Sequence, residues 1–184
     1  DDIASRCGLS KGGLYAHFQS KEQVFKALLA RLLAPPQWDE SKAPPAGTDA
    51  RAFAQWLVDG LYAALGQPAS MAAMHLLVAE SARVQELVNV WEDAVVLPQM
   101  AFLGRLLESR LVRSSDGPPS ILVRHPWLVV APVVHTLLSQ MIFGRTDAEQ
   151  LEIRRQGHVE LLTLLLEPHW AAAEASPAPV PEGR

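Results

Sequence analysis

The residue types best suited to chemistry cluster near the N-terminal end, in the run Ser10-Lys11-Gly12-Gly13-Leu14-Tyr15-Ala16-His17, followed by Lys21. They offer hydroxyl and amide donors, two cations and an imidazole, but no carboxylate to orient a base. Gly8-Leu9-Ser10-Lys11-Gly12 matches the G-x-S-x-G pattern of a hydrolase nucleophile elbow. That motif needs a strand before its serine and acid and histidine partners on a later sheet, and neither is readable here. The six histidines, His17, His75, His125, His135, His158 and His169, form no H-x-x-x-H pair, and Cys7 has no second cysteine near it. Metal-ligand spacing is therefore missing, and neither a metal nor a cofactor is expected. What remains is a donor-rich, cationic surface of the kind that grips phosphate.

The elements that must carry this surface are two short helices. The first is expected over about 2–7, and Gly8-Leu9 makes a turn. Gly8 suits the positive φ that closes a helix, and Leu9 can plug the crease behind it. Ser10 caps a second helix running to about Phe18, which leaves free N–H groups and the positive dipole end facing an anion. Leu14 and Phe18, four apart, turn inward with Ile3, which puts Lys11, Gly12, Tyr15 and His17 on or near the exposed side. Two adjacent glycines cost about 1 kcal/mol each inside a helix, a cost that makes sense where backbone must approach something large. Ser20-Lys21-Glu22-Gln23 reads as a capping box opening a third helix, with Val24, Phe25, Leu28, Leu29 and Leu32 as its apolar stripe. Lys21 adds a cation at its start.

Two helices joined by a tight glycine turn form a helix-turn-helix. The run IASRCGLSKGGLYAHFQSKEQVF resembles the signature of the tetracycline-repressor (TetR) family: Ile-Ala, Gly-hydrophobic-Ser, Leu-Tyr-x-x-Phe and Lys-Glu. The motif covers about residues 2–25. The resemblance implies that Ser10, Tyr15 and Lys21 hold DNA phosphates and that Lys11, Gly12, Gly13 and His17 lie at or near base edges in the major groove. It also implies a palindromic operator, a homodimer and release by a small-molecule effector. The family's first helix, which supports the other two, has no counterpart here. The chain starts at Asp1 without a methionine, so residues before it are expected.

The rest of the chain reads as all-α, because helical spacing of apolar residues dominates and no sustained strand alternation occurs. The expected organisation is a helix-turn-helix domain at 1–33, a Pro-rich linker at 34–48, a helical ligand-binding and dimerisation domain at 49–170, and a disordered tail at 171–184. Within the body, helices are expected from Asp49 to about Leu65 and from Ala69 to about Ser81. A long helix from Val84 to Val112 should be kinked by Pro98, and two more are expected over about 124–143 and 147–167. Residues 114–119 read as a loop.

Met71, Met74, His75, Trp91, Met100, Trp127 and His135, with Phe102, recur on the middle helices. Packing is the ordinary role of such residues. The alternative is an adaptable apolar pocket, with His75 and His135 as polar handles. The last two helices are more apolar than one buried stripe requires, at Val134, Leu138, Met141, Ile142, Leu161, Leu162 and Leu165 in particular. A surplus of this size points to a twofold four-helix bundle with a second copy.

Composition sets limits on these readings. The net charge is −4, yet residues 1–33 hold five Lys/Arg against three acids, which makes a small basic end on an acidic body. With one cysteine, the chain has no internal disulfide and suits a reducing compartment, so a cytoplasmic location is expected. The longest apolar stretch, Trp127 to Leu138, is too short to span a membrane and contains Pro132 and His135. The sequence therefore points to a DNA-binding transcription regulator, most simply a repressor, and not to an enzyme. The competing reading is a helical small-molecule binding protein or enzyme that retains a vestigial helix-turn-helix.

Overall fold

The computed structural model describes residues 2–33, 40–45, 48–111, 118–144 and 147–170, and within them the chain is all-α. Much of the expected linker, residues 112–117 of the loop region and the whole 171–184 tail lie outside the described residues.

Three helices make the N-terminal end: α1 (Asp2–Arg6), α2 (Lys11–His17) and α3 (Lys21–Leu32). The body is built from α4 (Ala50–Leu65), α5 (Pro68–Glu80), α6 (Gln85–Trp91), α7 (Leu97–Arg110), α8 (Ile121–Arg124), α9 (Trp127–Phe143) and α10 (Ala148–Leu166). Side-chain caps set the starts of α4, α10 and α8. Asp49 Oδ1 accepts from Ala52 N at 2.6 Å, Asp147 Oδ1 from Glu149 N at 3.0 Å, and Ser120 Oγ from Leu122 N at 3.3 Å. Gly144 ends α9 at φ 62°, the left-handed conformation that glycine adopts without Cβ strain.

The single helix expected over Val84–Val112 is continuous from Gln85 to Arg110, but its disturbance is a π turn and not a simple kink. A π turn, Glu92–Val96, sits between α6 and α7, and Leu97 N bonds to Glu92 O. Its cause lies two residues into α7. Pro98 has no N–H for the carbonyl one turn back and its ring crowds that carbonyl, so the chain inserts a residue rather than only bending. The helix expected over about 124–143 is α9, starting three residues later with Pro126 as its N-cap in a helical conformation, and the short α8 precedes it.

The main core gathers α4, α7, α8, α9 and α10 around Phe53, Leu57, Leu61, Leu103, Leu107, Leu122, Val129 and Leu162. Helix α4 runs through its centre, which explains why its stripe Phe53, Leu57, Leu61 and Leu65 is buried along its whole length. A second, smaller cluster of Leu29, Leu33 and Ala73, covered by Phe25, Leu32, Met74, Leu77 and Trp91, joins α3 to α5 and α6. The buried Ser70 hydroxyl lies 2.9 Å from Leu32 O and 3.1 Å from Ala64 O, so it ties the end of α3 to the body. Asp59 of α4 and Arg155 of α10 pair across the outside of the body, with Glu152 as second partner of Arg155 at 2.9 Å.

Polar groups stitch α9 where Pro132 interrupts its ladder. Thr136 Oγ1 donates to Pro132 O at 2.9 Å and lies 3.5 Å from the Tyr62 hydroxyl. His158 of α10 is 2% exposed, and its Nε2 stands 3.0 Å from Val129 O. Because a carbonyl can only accept, Nε2 carries the proton and the ring is neutral with its lone pair on Nδ1. Burial pushes the His158 pKa down to about 4, against the smaller upward pull of the Val129 carbonyl.

Candidate nucleic-acid interface

The helix-turn-helix is assembled by local hydrogen bonds. Cys7 N reaches Ile3 O at 3.1 Å, Gly8 N reaches Ser5 O at 3.1 Å, and Leu9 N reaches back to Ala4 O at 2.9 Å. Gly8 stands at φ 66°, so the turn out of α1 uses the left-handed conformation that its glycine suits. Ser10 at φ −71°, ψ 160° is the N-cap of α2, and its Oγ accepts from Gly13 N at 3.0 Å. Helix α3 has the matching device: Ser20 Oγ accepts from Gln23 N at 3.3 Å, and Gln23 Oε1 accepts from Gln19 N at 2.8 Å. The side chain of Gln23 therefore closes the capping box one residue earlier than the usual pattern.

The two glycines of α2 have different roles. A Cβ at Gly13 would sit 3.3 Å from Ser10 Oγ, so part of the reason for glycine there is the cap itself. A Cβ at Gly12 would meet only Ser10 Oγ at 3.9 Å, so that backbone is open to approach from outside. Gly13 is thus partly accounted for by the cap, whereas the backbone at Gly12 leaves room for close approach. Leu9 also differs from expectation. It lies beside Gly13 but remains 41% exposed, so it covers the crease without being sealed in it.

Ser10, Lys11, Gly12, Tyr15, His17 and Lys21 are all exposed, and Gly13 is half-buried. Tyr15, Lys11, Ser20 and Lys21 also border a shallow cleft of about 400 Å³ floored by Ile3, Leu14, Phe18 and Val24. Tyr15 and Lys21 thus share one side of the unit, next to the N-terminal end of α3. Glu22, fully solvated, has its carboxyl held below the usual range by its own backbone N–H and the Ser20 hydroxyl, with smaller help from Lys21 and Arg83. This acid at the first turn of α3 fits the helix dipole.

The seven residues of the expected ligand pocket are not brought together. Met71 and Met100 pack on the main core, and Met74 and Trp91 join the second cluster. His75, Trp127 and His135 are exposed, and Trp127 stacks edge-on against His125 at 6.5 Å between centroids. Trp91 is the most informative of the seven, because its Nε1–H is buried with no hydrogen-bond partner among the described residues. A larger cleft, about 580 Å³, opens where α3 meets α5 and α6, with Phe25, Leu28, Leu76 and Leu87 as its floor. None of the seven lines it.

Of the expected dimer residues, Val134, Leu138, Met141 and Leu165 are half-buried, Leu161 is exposed and Ile142 is 73% exposed. Leu162 is different: it is 0% exposed and belongs to the chain's own core beside Val159 and Leu166, so it is unavailable to a partner. Leu164, part of the same apolar surplus of the last helix, is 67% exposed, and two apolar residues that the sequence did not single out are exposed too, Phe143 at 71% and Ile153 at 54%. Leu161 and Leu164 are three apart on one side, whereas Val159, Leu162 and Leu166 form the alternate stripe. Among the described residues no group of His, Cys, Asp and Glu comes together to hold a metal, and no helix is long and apolar enough to cross a membrane.

Residues 1–28 match the family model of bacterial regulatory proteins, tetR family. No curated protein and no solved structure matches the chain.

Proposed function

We propose that this chain, by its residues 1–28 a DNA-binding transcriptional regulator of the tetR family, acts in the cytoplasm as a dimeric repressor released from a palindromic operator by a small, mostly apolar effector. The observation that carries the reading is the intact helix-turn-helix, with Ser10, Lys11, Tyr15 and Lys21 presented outward by two side-chain-capped helices. Ser10, Tyr15 and Lys21 then hold phosphates, and Lys11, Gly12, Gly13 and His17 lie against base edges. A short helix with an unencumbered Gly12 backbone is suited to deep entry into the major groove. Two copies joined through α9 and α10 would set their recognition helices about one DNA turn, ~34 Å, apart.

The link from body to DNA runs through α3. Its inner side forms the second cluster with α5 and Trp91, so a ligand that shifts α5 or α6 moves the helix carrying Lys21. Such a ligand must bind one arrangement better than the other to have any effect.

The test is titration of the full-length protein against its own upstream DNA at stated salt. Lys21→Ala and Tyr15→Phe should weaken binding on every sequence, with Lys21→Ala lowering the salt slope by about one. Lys11→Ala should in addition relax preference at one base position, by about 1–3 kcal/mol of lost discrimination. Three variants binding as tightly and selectively as the parent would sink the docking. Absence of any sequence-specific binding by the parent would favour the small-molecule binding reading instead.

A further inference from the structure

The linker re-enters the body through a contact that the helix-turn-helix does not explain. Arg110, at the last turn of α7, donates from Nη1 to Pro44 O at 2.7 Å. Its guanidinium lies over the ring of Phe53, 5.4 Å from the centroid, and Phe53 itself is fully buried. Four residues on, Thr48 O accepts from Trp170 Nε1 at 2.6 Å. Trp170 follows α10, packs its ring 5.2 Å from Phe53, and pairs by backbone with Leu111 just after α7. The incoming chain is thus held through two main-chain carbonyls by two side chains anchored on one aromatic hub. The Arg110 guanidinium here faces a carbonyl and a π face. That arrangement fixes where the linker passes and is indifferent to which side chains the linker carries.

The position of Arg110 matters because of what lies at the other end of the same rod. From α6 through the π turn to α7 the chain is continuous helix, and at the α6 end Trp91 packs into the cluster that holds α3. The rod therefore touches the route to the DNA-binding end twice, at α3 through Trp91 and at the linker through Arg110. Between the two attachments lies the π turn, a place where a helix can change register by one residue.

We infer that Arg110 is a positioning residue for DNA binding: it fastens the linker to the far end of the α6–α7 rod, so the rod fixes the DNA-binding end at two points. A shift of the rod then acts on α3 and on the linker together. The operator arm of this inference rests on the regulator reading above, and the geometric arm does not.

The experiment uses the full chain with Arg110→Met, which keeps a long apolar stem over Phe53 and removes the donor, and with Arg110→Lys as the conservative partner. Spin labels go on Cys7, which is exposed within the helix-turn-helix at the end of α1, and on Ala63→Cys at an exposed position of α4. Labelled chain is diluted in unlabelled chain, so only distances within one chain are read. The Cys7 to residue 63 distance distribution should broaden in Arg110→Met and return toward the parent in Arg110→Lys. Tryptic cleavage after Lys42 should rise about tenfold, as expected for local opening made easier by one charge-assisted hydrogen bond. Operator affinity should fall by a similar factor while the melting temperature stays close to that of the parent. An unchanged distance distribution overturns the inference, even if cleavage rises, because the bond then holds the linker without positioning the DNA-binding end. A parent that binds no operator but shows the broadening in Arg110→Met removes the regulator reading and leaves the tether standing.

Discussion

A Leu164→Asp variant is expected to run as a monomer and to lose operator binding at concentrations where the parent is saturated. Leu164 is 67% exposed on α10, with Leu161 one turn before it and Ile142 and Phe143 exposed at the end of α9. In a twofold interface each residue is buried twice. Removing a buried leucine from both copies forfeits roughly 3–6 kcal/mol of association, or about two to four decades in the dimer constant, before the cost of desolvating two carboxylates is added. The isolated chain loses little, because a side chain already in water contributes about 0.5 kcal/mol or less to its folding. Leu162→Ala makes the opposite comparison. That residue is sealed in the core, so its truncation should lower folding stability by about 2–5 kcal/mol. Sedimentation at several concentrations beside a denaturant titration separates the two. A Leu164→Asp chain that remains dimeric with parental operator affinity would place the interface on some other face.

The contrast between Leu162 and Leu164 also shows where the sequence is legible and where it is not. The run from Val159 to Leu166 announces a surplus of apolar surface, but both stripes of that helix are leucine-rich. Which stripe faces inward depends on how α10 rolls against α4 and α9, and tertiary packing alone decides that. The helix-turn-helix was legible almost residue by residue, because its geometry is set within a few positions. Gly8 closes one helix, Ser10 and Ser20 cap the next two, and Gln23 folds back on the chain before it. Pro98 was legible as a disturbance but not in its form. A proline removes one donor, and nothing in the neighbouring sequence marks whether the chain answers with a kink or with an inserted residue. The seven pocket candidates were read from residue type, which places methionines and aromatics on the middle helices but not on a common wall. Arg110 could not be found at all. Its partner is a main-chain carbonyl sixty-six positions away, and a carbonyl leaves no mark in a sequence.

Acid should destabilise the body well above the pH at which carboxylates titrate, and His158 is the reason. Its imidazole is neutral in the fold, with a pKa pushed down from 6.5 to about 4, and it regains the ordinary value when the chain unfolds. A group whose folded pKa is depressed binds its proton more readily in the unfolded state. Its contribution to stability is therefore complete above about pH 6.5 and drains away as the pH falls toward 4. Integrated over that window the loss is roughly 3 kcal/mol, a large part of the margin of a typical domain. The site of the loss matters for function. His158 joins α10 to α9 through Val129 O, with the Tyr62 ring of α4 6.0 Å from its own, so a proton on buried Nδ1 loosens the three helices beneath the proposed dimer face. Replacing His158 with Leu removes the titration and one hydrogen bond to a carbonyl that its own helix can still occupy. The variant should lose about 1 kcal/mol at neutral pH and have a flatter stability profile between pH 6.5 and 4. Denaturant unfolding of parent and His158→Leu at half-unit pH steps decides the matter. Parallel profiles across that window would show that the histidine does not carry the acid sensitivity.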